Sequence, residues 1–185
     1  MNQSLSVFLT LKKFNLMEGF ICPHQKKQIK NLIQENEVKN ILEIGFNAGH
    51  SADFMLSQKN DIFVTSVDIG KHQYVVPCAD FLLKKYPDRF KLMIGDSRYT
   101  LQKINEKFDF ILIDGGHSED ICYADIINCK NLTNDNTIIL LDDYSEIYGQ
   151  GVIKAFDKAV KEGFVEQINI TSKVGPRGWL YYKYV

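Results

Sequence analysis

Three carboxylates stand at the ends of two apolar runs, Asp114 after residues 108–113 and Asp142 with Asp143 after residues 137–141. If these runs are neighbouring parallel strands, their C-terminal ends meet at one edge of the sheet and the like charges crowd together. A bound cation relieves that repulsion, and carboxylate oxygens suit hard divalent ions such as magnesium, calcium or manganese. The pattern therefore predicts a metal site at Asp114, Asp142 and Asp143. The alternative is that Asp142 caps the next loop and Asp143 is solvated.

Earlier apolar runs also end in acids. Glu43 lies just inside the end of residues 41–44, Asp68 follows residues 62–67, and Asp96 follows residues 90–94. Such an acidic rim suits a cation or a hydroxyl-rich ligand, and a carboxylate such as Asp68 can accept two hydroxyl hydrogens at once. A helix cap at the strand end is the alternative role of Asp68.

A glycine-containing loop at residues 45–49 joins the first run to an amphipathic segment at residues 51–59. Gly45 and Gly49 permit a sharp turn and a close approach of a ligand to bare backbone, although a tight connection without a ligand has the same appearance. The Gly-x-Gly-x-x-Gly pattern of a dinucleotide loop is missing, because Phe46 and Asn47 follow Gly45. The loop therefore favours a ligand without a pyrophosphate.

These residues require a sheet that gathers strand ends along one edge. Five strand–helix units are predicted, followed by a hairpin of residues 164–171 and 179–185. The predicted helices cover residues 24–37, 51–59, 79–85, 97–106, 119–130 and 151–162, and residues 1–22 are irregular or a loose helix. The predicted fold class is α/β: a single Rossmann-like, doubly wound sheet, mostly parallel, of seven strands with a C-terminal antiparallel hairpin and helices on both faces.

Composition narrows the functional classes. The 185 residues carry a formal net charge of -1 and are 45% hydrophobic, which indicates one domain over residues 1–185 and no nucleic-acid surface. The four cysteines show no Cys-x-x-Cys spacing, which is typical of reduced thiols and a cytoplasmic protein. No apolar run is long enough to span a bilayer.

The ordered segments resemble the class I S-adenosylmethionine-dependent methyltransferases, from about residue 20 to residue 185. Among these the chain is most similar to the small metal-dependent O-methyltransferases of the catechol and sugar types. The matching segments are residues 42–51, 67–68, 95–97, 112–117 and 141–144, and the terminal hairpin matches the family's reversed last strand.

The resemblance implies S-adenosylmethionine as cofactor. The positions that match its contacts are Glu43, Gly45, Phe46, Asn47, Gly49, Ser51, Asp68, Asp96, Ser97, Asp114 and His117. Gly45 and Gly49 then shape the loop beside the methionine part. Glu43 lies on the ammonium side and Ser51 near the carboxylate. Asp68 holds the ribose hydroxyls, and Asp96 and Ser97 adjoin adenine.

The implied reaction transfers a methyl group to a hydroxyl of a small molecule or sugar, with Asp114 and His117 as catalytic residues. In the metal-dependent relatives, Mg²⁺ at the positions of Asp114, Asp142 and Asp143 orients the hydroxyl and lowers its pKa. His117 stands where the catechol type has a lysine and is the predicted base, or else it hydrogen-bonds the cofactor or caps the next helix.

Residues 1–22, 71–78 and 144–151 are expected to frame the acceptor pocket, with the N-terminal segment covering the active site. Two other functions stay open: a non-catalytic S-adenosylmethionine-binding protein of the same fold, and a nicotinamide-dependent oxidoreductase, which the loop disfavours. A monomer and a homodimer are both compatible with the sequence.

Overall fold

The computed structural model describes residues 4–14, 21–174 and 177–185. Its strands are β1 (Asn40–Ile44), β2 (Phe63–Asp68), β3 (Phe90–Ile94), β4 (Phe108–Ile113), β5 (Thr133–Leu141), β6 (Val165–Val174) and β7 (Arg177–Tyr184). These seven strands form one sheet in the order β3-β2-β1-β4-β5-β7-β6. Strands β1 to β5 pair in parallel, and β7 runs antiparallel to β5 and β6. The predicted mostly parallel sheet with a reversed hairpin is confirmed.

Helices cover both faces of the sheet, as predicted. They are α1 (Leu5–Leu11), α2 (Pro23–Glu35), α3 (His50–Leu56), α4 (Val75–Lys85), α5 (Ser97–Thr100), α6 (Glu119–Cys129) and α7 (Gln150–Lys161). Successive strand residues point to opposite faces, so Ile41 packs into the core beneath α1 to α4 and Leu42 into the core beneath α6 and α7. In the described part of the chain, the helices are too short or too polar to serve as membrane spans.

Helix α4 begins earlier than the sequence predicts. The sequence predicts a helix from residue 79, whereas the helix starts at Val75 and contains Pro77 in its first turn. Proline is tolerated there because the first-turn N–H groups have no partner within the helix. Val75 is fully buried, which anchors the added turn in the core.

Strand β5 also begins earlier, at Thr133 instead of residue 137. Residues 134–136, whose types favour a turn, lie inside the strand, where the pairing with β4 shifts register. The local hydrogen bonds of a turn are present: Asn134 N–H donates to Thr137 Oγ1 and Asn136 N–H donates to Asn134 Oδ1. Thr137 Oγ1 in turn donates to Phe108 O, so the irregular segment stays attached to β4.

The helix predicted over residues 97–106 is shorter than expected. It runs only from Ser97 to Thr100 and continues as a 3₁₀ turn over Leu101–Lys103, after which Ile104 is extended.

At the N-terminus, α1 packs on α4 through stacked Phe8 and Phe81 rings, whose centroids lie 4.8 Å apart. Leu5 and Leu9 are buried in the same core. Residues 1–3 and 15–20 of the predicted covering segment lie outside the described residues, and the covering role stays a prediction.

Candidate cofactor and metal site

A cavity of about 360 Å³ opens at the C-terminal ends of β1 to β4. The strand order reverses between β1 and β4, which is where open α/β sheets bind their ligands. The cavity is lined by residues at the ends of these strands and in the loops that follow them: Gly45 and Asn47; Asp68, Ile69, Lys71 and His72; Gly95 to Arg98; and Asp114 to Gly116. Six of the predicted cofactor residues are on this wall: Gly45, Asn47, Asp68, Asp96, Ser97 and Asp114.

The loop after β1 turns where only glycine fits. Gly45 has φ +96°, and a Cβ there would lie 1.9 Å from the carbonyl oxygen of Asp114. The missing side chain lets the end of β1 contact the end of β4, and Gly45 N–H donates to Val67 O at 2.8 Å. Gly45 thus closes the cavity floor between three strands.

Phe46 and Gly49 shape the loop from beneath. The Phe46 ring is buried in the core beside Phe90, with centroids 5.3 Å apart, and neither Phe46 nor Gly49 lines the cavity. A Cβ on Gly49, where φ is +79°, would lie 2.5 Å from the Phe46 ring. The two residues fit together to set the course of the loop.

Asp68 forms hydrogen bonds with two loops at the cavity wall. Its Oδ2 accepts the Asn47 N–H at 2.8 Å and its Oδ1 accepts the Gly70 N–H at 2.7 Å. A carboxylate has roughly four acceptor positions, so Asp68 retains capacity for hydroxyl donors of a ligand. Close by, Asn47 Oδ1 is buried and has no hydrogen-bond partner among the described residues. A ligand donor in the cavity would satisfy that oxygen.

Asp96 caps α5 and pairs with Arg98. Its Oδ1 accepts from Arg98 N–H at 3.0 Å, and the Arg98 guanidinium donates to Oδ1 at 3.0 Å and to Oδ2 at 2.7 Å. These hydrogen bonds lower the pKa of Asp96, which is therefore ionised at neutral pH. Arg98, which the sequence did not single out, also lines the cavity.

Glu43 lies beneath the loop and does not line the cavity. It is fully buried and accepts hydrogen bonds from Ser51 Oγ and, at 2.6 Å, from Ser66 Oγ. Burial raises the pKa of Glu43, and the nearby Asp68 charge adds to this effect. The two serine hydrogen bonds lower the pKa, and the net value is about 7. Glu43 and Ser51, both predicted cofactor contacts, thus join β1, α3 and β2.

The predicted metal ligands come together only in part. Asp114, His117 and Asp143 each offer one ligand atom, and these atoms lie within 4.8 Å of one another. His117 Nε2 is 3.1 Å from Asp143 Oδ2, with the His117 side chain 48% exposed and the Asp143 side chain 6% exposed. Asp142 lies outside this group, and its Oδ1 accepts the Asp143 N–H at 2.7 Å.

This donor set fits a divalent cation. Two carboxylates suit magnesium or manganese, whereas an imidazole nitrogen is a ligand more typical of zinc, iron or nickel. The sequence placed Asp142 in the set, and the structure places His117 there. The predicted role of Asp142 as a ligand stays a prediction.

Asp125 is a buried acid next to Gly115 of the cavity wall that the sequence reasoning missed. It lies in the middle of α6 with 0% exposure, and neither carboxylate oxygen has a hydrogen-bond partner among the described residues. Burial raises its pKa to about 7. The available signal was an acid in the apolar stripe of a helix, where a charge is costly.

Comparisons with known proteins agree with this geometry. The profile of a family described as "Methyltransferase domain" matches residues 42–144, more than half of the chain. An O-methyltransferase, ankF, from Aspergillus thermomutatus is 29% identical over 140 residues, which cover 72% of this chain and 57% of that protein. The match thus spans little more than half the length of that relative.

Two solved structures share the fold. A methyltransferase of Podospora anserina, solved with SAH bound, superposes with a TM-score of 0.80 at 19% identity and covers 100% of this chain and 89% of its own. An O-methyltransferase of Bacillus cereus in complex with SAH gives 0.75 at 22% identity and covers 98% and 90%. With the family match and the cavity at the switch point of the sheet, the chain belongs to the methyltransferase domain family.

Proposed function

We propose that the protein is an S-adenosylmethionine-dependent O-methyltransferase that acts on a hydroxyl of a small molecule or sugar with the help of a divalent cation. The proposal rests on the part of the cavity wall where Asp68 and Asn47 meet. It combines a carboxylate at the end of β2 with a buried amide oxygen that has no hydrogen-bond partner among the described residues.

The cavity suits S-adenosylmethionine in size and in charge. Its volume of about 360 Å³ is in the range of small-molecule sites. Asp68 is assigned to the ribose hydroxyls and Asn47 Oδ1 to a donor of the methionine part. Asp96 and Ser97 are assigned to adenine. The cofactor has no phosphate, and the acidic wall attracts its sulfonium and ammonium groups.

The relatives support this assignment. The O-methyltransferase name of the Aspergillus protein and the SAH in the Podospora and Bacillus structures point to the same donor. SAH is S-adenosylhomocysteine, the donor after it has lost its methyl group.

For methyl transfer the protein has to position the donor and the acceptor and to remove a proton from the acceptor hydroxyl. When bound, the sulfonium supplies an activated methyl group and a good leaving group. His117 is assigned as the base that takes the hydroxyl proton, and the buried Asp143 holds its imidazole through the 3.1 Å contact. Asp114 stands beside this pair on the cavity wall.

Asp114 and Asp143 are the carboxylates assigned to the cation, with Asp142 as the further predicted ligand, because His117 is assigned to the proton. A bound divalent ion would lower the pKa of the acceptor hydroxyl and hold it in place. The acceptor is assigned to the space framed by α1, the start of α4 and residues 144–151.

Two measurements test the proposal. Calorimetry with SAH should show binding, and Asp68→Ala should weaken it while the exposed Asp80→Asn leaves it unchanged. Methyl-labelled S-adenosylmethionine should then pass its label to catechols, other diols or sugars in the presence of Mg²⁺ or Mn²⁺.

Each outcome has a separate meaning. Absence of SAH binding would overturn the cofactor assignment. Binding without transfer to any hydroxyl compound would favour a non-catalytic binding protein. Transfer that is unaffected by a chelator would remove the cation from the mechanism and leave His117 as the sole assigned proton acceptor.

A further inference from the structure

The structure leaves the amino group of the proposed cofactor without the acceptor that the family resemblance implies. That acceptor is Glu43, which is fully buried and does not line the cavity. Both of its carboxylate oxygens already accept hydrogen bonds, Oε1 from Ser51 and Oε2 from Ser66. A different oxygen therefore has to face the amino group of the ligand.

Asn47 offers such an oxygen in the loop after β1. It lines the cavity, and its Oδ1 is buried with no hydrogen-bond partner in the part of the chain that the structure describes. Its backbone is fixed, because the Asn47 N–H donates to Asp68 Oδ2 at 2.8 Å. The Asn47 side chain thus starts beside the carboxylate that is assigned to the ribose.

Asparagine is not the residue that folding alone favours at this position. The φ of Asn47 is +50°, a conformation that strains residues other than glycine, although asparagine tolerates it better than most. A buried oxygen without a hydrogen bond is destabilising as well. Glycine would keep the N–H that Asp68 accepts and would avoid both effects.

The order of the strands places Asn47 beside the amino-acid part of the cofactor. Ser97 follows β3, Asp68 ends β2 and Asn47 follows β1, and these three strands are neighbours in the sheet. With adenine assigned to the first position and the ribose to the second, the part of the ligand beyond the ribose reaches the third. In that part of SAH the sulfur carries no proton and the carboxylate only accepts hydrogen bonds, so the protonated amino group is the donor.

We propose that Asn47 is the residue by which the cavity distinguishes a nucleoside ligand that carries a protonated amino group from the same ligand without it. The inference rests on the proposed function, because the amino group is that of the cofactor. It gives Asn47 Oδ1 the role that the family resemblance implies for Glu43.

The test compares two ligands that differ at one group. SAH carries the amino group, and its desamino analogue has a hydrogen atom at the same place. Calorimetry at pH 7.0, where the amino group is protonated, gives the ratio of the two affinities. We expect the wild-type protein to prefer SAH, and Asn47→Gly to reduce that preference at least about tenfold, the value of one hydrogen bond to a charged group.

Two further variants separate the amide oxygen from the backbone conformation. Asn47→Asp keeps an acceptor oxygen and tolerates the same φ, so it should retain the preference. Glu37→Gly is the matched control, because Glu37 is exposed, has a φ of +51° and precedes β1 at the end of the strand away from the cavity. It should leave the preference unchanged.

Stability without ligand gives a second measurement. In urea unfolding, Asn47→Gly should have a midpoint no lower than that of the wild type, because glycine suits the φ and removes the buried oxygen. A lower midpoint with both ligands weakened alike would assign Asn47 to structure and overturn the proposal.

An unchanged affinity ratio in Asn47→Gly would also overturn it, as would a wild-type protein that binds SAH and the analogue equally. Loss of the preference in Asn47→Asp would show that the amide nitrogen contacts the ligand, and this variant decides the matter if Asn47→Gly does not fold. A wild-type protein that binds neither ligand refutes the proposed function instead, so the two failures are distinguishable.

Discussion

Replacing Glu43 by glutamine tests how burial acts on the acid beneath the glycine loop. Glu43 is fully buried and accepts hydrogen bonds from Ser51 and Ser66. Glutamine has the same shape, and it can accept from one serine with its oxygen and donate to the other with its amide group. The substitution therefore removes the titrating charge and keeps the packing.

The size of the effect follows from the pKa of Glu43, which rises from 4.5 to about 7 on folding. Between these values the folded protein holds a proton that the unfolded chain has released. The free energy of unfolding therefore falls as pH rises, by up to about 1.4 kcal/mol per pH unit from this group. The total loss is roughly 3 kcal/mol, and it is complete above the folded pKa.

Other groups also contribute to the pH dependence of wild-type stability. Asp125 acts in the same direction as Glu43, because its pKa is raised as well. His50 acts in the opposite direction, because burial lowers its pKa, so its contribution is lost as pH falls. Both groups are present in the variant, so the difference between the two proteins isolates Glu43.

The assay is urea unfolding between pH 4.5 and pH 8.5, followed by circular dichroism. We expect the two proteins to be similarly stable near pH 4.5 and Glu43→Gln to be more stable by roughly 3 kcal/mol at pH 8.5. Asp80→Asn should follow the wild-type curve. A Glu43→Gln curve parallel to that of the wild type, or lower stability than the wild type at pH 8.5, would refute the reasoning.

Three further predictions concern the cavity itself. Gly45→Ala should destabilise the protein by more than roughly 3 kcal/mol in thermal unfolding, because a Cβ would lie 1.9 Å from Asp114 O. Gly163→Ala is the control: Gly163 also has a positive φ but has open space around it, so the substitution should cost about 1 kcal/mol. Asp68→Ala should weaken SAH binding at least about tenfold in calorimetry, since it removes the proposed ribose acceptor and the acceptor of the Asn47 and Gly70 N–H groups; unchanged affinity would argue against the ribose assignment. His117→Gln should slow methyl transfer by about 100-fold or more with SAH affinity unchanged, and a loss of SAH affinity with an unchanged rate would instead assign His117 to the cofactor.

The sequence predicts the sheet well because its strands are strongly apolar. Residues 108–113 and 137–141 are expected strands of a sheet buried on both faces, and both are present. The ends of the strands are less predictable where the same side chains can form the hydrogen bonds of a turn or belong to a strand. Residues 134–136 make the hydrogen bonds of a turn, but they do so within β5, since Thr137 also bonds to β4.

The candidate metal ligands show a different limit of sequence-based prediction. The sequence does not distinguish Asp142 from Asp143 as a ligand, because both are aspartates at the end of the same strand. In the structure, the side chains of consecutive strand residues point in opposite directions. Only Asp143, with φ +52°, comes together with Asp114, while Asp142 bonds to the backbone. A pattern can therefore predict that carboxylates meet at this edge, but it cannot choose between neighbours.

Asp125 is a residue whose position beside the cavity is not revealed by a correct helix prediction. It lies three residues after Cys122 and four before Cys129, so the helical period already places it on the same side as buried residues. The period does not reveal that Gly115 and Ser97 lie between this side of α6 and the cavity, because that contact depends on how β3, β4 and α6 pack. A buried acid in such a place is costly for folding, so its position beside the cavity could be found only from the structure.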